Sequence, residues 1–285
     1  MARTRRLPHA RGVAHLTITG RDVPISVIGS GPAVLLVPGG AARTQGYWLD
    51  VPEAIAKSAT VIRADRPGVG TSPWSGPRLS LADQAAHIAA IIRAGGAGPA
   101  VLLSHSLGGP VSLQTAIDHP DVVAGLVLLD PTPINMRVAI EMLTVTLRAL
   151  ALVEGSDRLR PRFRAKVAKQ YWDQLEGVER TEALEEACET MIDQEHWRLL
   201  AKLGRGLGKD TADLARRLHA NPLTKPGVLV TAERAPKDRI GRAHVAMARA
   251  AVLDLEVWDG TTHVVHVQRP DRVVATVRRI LERTA

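Results

Sequence analysis

Aromatic side chains are scarce. Phenylalanine occurs once, tyrosine twice and tryptophan five times in 285 residues. Surfaces that bind single-stranded nucleic acid stack bases on aromatic platforms set among basic side chains. The basic charge is present, at a net +8, but the platforms are not. The arginines are scattered, and the densest basic runs, 3–11 and 158–169, hold a single aromatic, Phe163. No nucleic-acid partner is expected. Cysteine is limited to Cys188, so no intrachain disulfide is available and a reducing compartment is the easier fit. No apolar run has the length of a membrane span, so no membrane partner is expected. The basic start, Arg3, Arg5 and Arg6, is not followed by the apolar stretch of a secretory signal, which makes the cytoplasm the expected location. Gly29-Ser30-Gly31 lacks the lysine and spacing of a phosphate-binding loop, and no Gly-x-Gly-x-x-Gly opens a helix. The histidines are dispersed, and His263 with His266 lacks the acid and spacing of a zinc helix, so no metal site is expected.

What remains is a chain that is 45% hydrophobic and 23% charged, ordinary values for a protein with a packed core. Residues 15–19 and 23–28 read as an antiparallel hairpin. Further strands are expected at 33–37, 60–64, 100–103, 124–129, 227–231 and 253–258, and the continuous apolar run 33–37 has the pattern of a strand buried on both faces. Helical periods separate them at 81–94, 108–119, 239–250 and 271–283. The alternation predicts an α/β fold, a mostly parallel sheet flanked by helices. From 134 to 220 the rhythm stops. No strand is evident there, and helices are expected at 138–152, 160–175, 181–203 and 211–218. So long a block is not a structureless loop in a compact domain. The chain therefore divides into a core of 1–133 and 221–285 and a helical cap insertion of 134–220.

One turn stands out: Ser104-His105-Ser106-Leu107-Gly108-Gly109, between a strand and a helix. A serine hydroxyl is a weak nucleophile without an adjacent base, and it must be presented at a sheet edge. A tight strand–turn–helix does this, but it is crowded and requires small residues two before and two after the serine. Ser104 and Gly108 occupy those positions. The bland alternative makes Ser106 a helix cap.

With this turn come Pro38-Gly39-Gly40, the run Asp65-Arg66-Pro67-Gly68-Val69-Gly70-Thr71-Ser72, and Gly260-Thr261-Thr262-His263. In this order they resemble the cap-bearing α/β-hydrolase superfamily over nearly the whole chain. Ser104 departs from the family's usual glycine. The resemblance implies Ser106 as nucleophile and His263 as base, with His266 a nearby competitor that usually packs. It also implies that the His105 side chain points into the fold. Oxyanion donors would be the backbone N–H groups of Gly40 and Leu107. Pro38 stands where the family usually has histidine. Asp65 and Arg66 would brace nearby loops, and Trp48 and Trp74 would either line the pocket or pack.

The acid stays open. The usual position falls near Ala235, which cannot serve. Asp130, ending the strand after the elbow helix, is an alternative site in part of the superfamily, and Glu233 is the alternative acid. Asp238 is a third choice.

The implied activity is a serine hydrolase acting on a small carboxylic ester or lactone through an acyl-enzyme, with a Ser-His-Asp triad and no cofactor. C–C bond hydrolysis, cofactor-free perhydrolysis, or a non-catalytic small-molecule receptor remain compatible. Serine at 106 argues against epoxide and haloalkane hydrolysis, which use an aspartate nucleophile. The partner is a small-molecule substrate. Apolar positions Ile140, Leu143, Leu147, Leu150 and Val153 are expected to pack the cap onto the core.

Overall fold

The computed structural model describes residues 13–18, 21–40, 46–69, 72, 74, 79–192, 194–235 and 238–284. Eight strands form one sheet: β1 (Val13–Ile18), β2 (Arg21–Gly29), β3 (Ala33–Val37), β4 (Thr60–Ala64), β5 (Ala100–His105), β6 (Val123–Leu129), β7 (Gly227–Ala232) and β8 (Asp254–Trp258). Their spatial order is β1-β2-β4-β3-β5-β6-β7-β8. Only the β1–β2 and β2–β4 pairings are antiparallel, and the rest of the sheet is parallel. This is the α/β-hydrolase fold with a helical insertion.

The central strands are buried at every position because helices cover both faces. All residues of β3, β5 and β7 are buried. Leu35, Leu102, Leu128 and Leu229 point to one face, beneath α2 (Leu81–Gly95), α3 (Gly108–Asp118) and α9 (Arg239–Ala251). Leu36, Leu103, Val127 and Val230 point to the other, beneath α1 (Val51–Ile55) and α11 (Pro270–Glu282). Trp48 is 1% exposed within the second cluster and Trp74 packs at the edge of the first, so both serve packing. The five-residue α1 was not expected.

Between β6 and β7 run α4 (Arg137–Glu154), α5 (Arg160–Asp173), α6 (Glu182–Met191), α7 (Gln194–Leu203) and α8 (Leu207–Ala220). The single helix expected at 181–203 is two helices, and the one expected at 211–218 starts earlier, at Leu207. Cys188 is buried in a small cluster with Tyr171, Leu175 and Leu184, against which Leu49, Val264 and Val267 of the core pack. Of the apolar positions expected to pack α4 onto the core, Ile140 is buried but Leu143 is 53% exposed. A short α10 (Val265–Gln268) precedes α11.

Candidate active site

At the end of β5 the chain turns sharply, and Ser106 takes φ 51°, the left-handed region that side chains other than glycine rarely occupy. Neighbours hold it there. Its N–H donates to the Leu129 carbonyl at 3.1 Å, and its carbonyl accepts from the Gly109 and Thr132 N–H groups at 3.0 and 2.9 Å. The small residues have their reasons. A Cβ on Gly108 would collide with the Val37 carbonyl, and one on Gly109 with the Pro131 ring. Ser104 is fully buried, and its hydroxyl donates to the Val127 carbonyl at 3.3 Å, so the departure from glycine is accommodated.

The structure brings three of the expected residues into one hydrogen-bonded chain. His263 Nε2 lies 3.1 Å from Ser106 Oγ, and His263 Nδ1 lies 2.7 Å from Asp130 Oδ2. A carboxylate can only accept, so Nδ1 carries the hydrogen and Nε2 is left to accept from the serine hydroxyl. Asp130 is 1% exposed, at the end of β6. Its Oδ1 accepts from the Ala232 N–H at 3.0 Å, and its Oδ2 also receives Arg234. Burial alone would raise its carboxyl. The hydrogen bond and charge of His263, the Ala232 N–H and the Arg234 guanidinium outweigh this and hold it well below the usual carboxylate range.

The other candidate acids are engaged elsewhere. Glu233 Oε2 accepts from the Gly260 N–H at 2.6 Å and so pins the loop that leads to His263. Asp238 caps α9, accepting from the Ile240 and Gly241 N–H groups at 2.8 and 2.9 Å. The histidine loop has a further tie, to the insertion: Thr262 Oγ1 donates to the Gln174 carbonyl at 3.0 Å.

Tyr47, which the sequence did not single out, links both sides of the nucleophile. Its hydroxyl lies 2.5 Å from His105 Nδ1, and His105 Nε2 lies 2.7 Å from the His263 carbonyl. The carbonyl must accept, so Nε2 carries hydrogen; burial and the neighbouring His266 and His263 push His105 well below its ordinary value and keep it neutral. Nδ1 therefore accepts from Tyr47, and the Tyr47 oxygen in turn accepts from the Gly39 N–H at 3.3 Å. The His105 ring thus points into the fold, as the resemblance implied. His266 is buried and stacks on Tyr47 with ring centroids 4.7 Å apart. Tyr47→Phe keeps the stacking but strands two buried polar groups. It is expected to cost about 1–3 kcal/mol in chemical denaturation and to lower kcat more than it changes KM.

Gly39 sits against the nucleophile, since a Cβ there would come within 2.8 Å of Ser106 Cβ. The next residue, Gly40, takes φ 47°, and its carbonyl is gripped by the buried Arg66, which also donates to Gln84 Oε1 at 2.5 Å. Arg66 thus braces this loop. Gly40 and Leu107 lie on separate segments, after β3 and before α3. A cavity of about 790 Å³ opens over Ser106 and His263. Met136, Ala139, Ile140 and Leu143 line it from the insertion, with Gln170, Asp173 and Gln174 on another side. Among the described residues, no group of three or more His, Cys, Asp or Glu side chains could hold a metal ion, and no helix is long and apolar enough to cross a membrane.

Comparison with known proteins agrees with this architecture. The chain is 28% identical to the lipase LipV of Mycobacterium tuberculosis over 253 residues, covering 87% of this chain and 93% of LipV. Its fold superposes on MenH from S. aureus with a TM-score of 0.74 at 17% identity, covering 91% and 98% of the two chains. The epoxide hydrolase CorEH gives a TM-score of 0.70 at 20% identity, covering 97% and 100%. The alpha/beta hydrolase family profile matches residues 34–276, and the chain is a hydrolase belonging to that family.

Proposed function

We propose that this chain hydrolyses a small carboxylic ester or lactone through an acyl-enzyme on Ser106. The observation that carries the reading is the chain Ser106 Oγ–His263 Nε2–His263 Nδ1–Asp130 Oδ2, with links of 3.1 and 2.7 Å, beneath an open cavity. His263 Nε2 takes the hydroxyl proton as Ser106 Oγ attacks the carbonyl carbon. The Gly40 and Leu107 N–H groups receive the developing oxyanion. The imidazolium, supported by Asp130, protonates the departing alkoxide, and the acyl group stays on Oγ. Water then gives a proton to His263 and its hydroxide to the acyl carbon, and Ser106 leaves reprotonated. A serine nucleophile cannot follow the aspartate chemistry of an epoxide hydrolase, whatever the likeness of fold. The residues contributed by the insertion make it the cap that selects the substrate.

A panel of activated esters of increasing chain length, with lactones beside them, tests the reading. Turnover of at least one class is expected, together with covalent labelling by a fluorophosphonate. A folded protein that neither turns over the panel nor takes the label overturns the proposal in favour of a ligand receptor.

A further inference from the structure

The outward face of α4 carries an apolar seam that nothing in the described chain covers. Val138, Met142, Val145 and Leu152 are 68%, 66%, 67% and 78% exposed. Ala149, between the last two, is exposed as well. Their spacing is four, three, four, three along an 18-residue helix. That is the heptad spacing by which one helix meets another, narrower than the apolar stripe of an ordinary surface helix. We infer that α4 is the contact through which two copies of this chain associate, with the two α4 helices antiparallel across a two-fold axis.

Three arguments select a second copy. The first is charge. Glu141 and Arg148 flank the seam on one side, seven residues apart, while the other side holds Ala139, Thr146 and Val153. In an antiparallel pair the like flanks meet, so Glu141 of each copy faces Arg148 of the other and two reciprocal ion pairs form. A parallel pair would set the charged flank against the neutral one and form none. Glu141 Oε1 accepts from Arg137 at 2.9 Å, which leaves Oε2 for this contact. The second is symmetry. An antiparallel crossing about a two-fold axis closes the assembly at two copies, with the same surface used on each. The third is what the helix lacks. A helix that lies on a lipid surface has a broad apolar face bordered by many Lys and Arg, whereas the exposed charges of α4 are two arginines and one glutamate.

The helix is about 27 Å long at 1.5 Å per residue, so the seam covers less than the roughly 800 Å² per partner of a standard stable interface. The dimer is therefore weak and depends on concentration. It also sits on the cavity, because the inner side of the same helix supplies Ala139, Ile140 and Leu143 to the wall.

Sedimentation equilibrium from low micromolar to several hundred micromolar protein tests the inference, and it does so whether or not the chain cleaves an ester. The wild-type chain is expected to pass from monomer to dimer. Met142→Lys changes an exposed residue, so the fold should survive, as circular dichroism would show, while the dissociation constant rises at least tenfold. Arg148→Glu is expected to weaken the dimer through facing glutamates, and adding Glu141→Arg should restore it. A wild-type chain that stays monomeric overturns the inference, as does a dimer indifferent to Met142→Lys or an unrescued Arg148→Glu. Binding of a monomeric wild type to phosphatidylglycerol vesicles, lost in Met142→Lys, would assign the face to lipid and overturn it too.

Discussion

Ser106→Ala is expected to lower kcat for an activated ester by about a millionfold, the scale seen when a serine nucleophile is removed from a working triad. Without Oγ no acyl-enzyme forms, and the burst that reports its accumulation disappears. Residual turnover of about 10³-fold over water should survive if the proposed Gly40 and Leu107 oxyanion donors remain in place. The fold should not suffer. The turn is held by main-chain hydrogen bonds from Ser106 to Leu129, Gly109 and Thr132, which the substitution keeps. Alanine is no worse than serine at φ 51°. Steady-state and pre-steady-state kinetics, with a denaturation curve beside them, make the check. Activity within tenfold of wild type in a folded variant would remove Ser106 from the chemistry.

Asp130→Asn is expected to lower kcat by about 10⁴-fold, while Glu233→Gln stays within a few-fold. The carboxylate fixes the hydrogen on His263 Nδ1. An asparagine can present its own N–H to that nitrogen instead, and the ring then turns its other hydrogen toward Ser106, where it cannot take a proton. Arg234 would also lose its counter-charge in a mostly buried setting, so stability should fall together with rate. Kinetics must therefore be corrected for the folded fraction. Asp130 is held below the usual carboxylate range, so it stays ionised through the whole range in which an imidazole titrates. The acid limb of kcat/KM therefore does not belong to Asp130. Glu233→Gln weakens one hydrogen bond, from the Gly260 N–H, which the amide oxygen can still accept, and leaves Asp130 in place. The opposite ranking of the two variants would make Glu233 the acid.

Much of this was legible before the structure. The central strands β3, β5, β6 and β7 could be read because they are largely apolar, which a sheet covered on both faces demands. Asp130 could be read as a candidate because it ends one of those strands. Its role could not be decided from sequence, since Glu233 and Asp238 lie close by and the pinning of Gly260 and the capping of α9 are contacts in space. Tyr47 was invisible for the same reason: a lone loop tyrosine gives no periodic signal, and its partner His105 is 58 residues away. The break between α6 and α7 escaped because no glycine or proline marks it. On α4 the apolar residues run around most of the helix, so the seam that faces outward could not be separated from the residues that face the cavity.

The two strained turns deserve to be taken together. Ser106 and Asp130 both hold positive φ, 51° and 38°, and both follow strands in direct register, with His105 opposite Leu129. Ser106 and Asp130 are thus one strand pitch apart, a spacing of about 4.8 Å that the hydrogen-bond ladder imposes on any pair of neighbours. The sheet itself is the ruler for two of the three groups. Only the histidine arrives on a separate loop, so it alone has positional freedom, and the loop contacts from Glu233, Gln174 and His105 set the tolerance of the whole assembly.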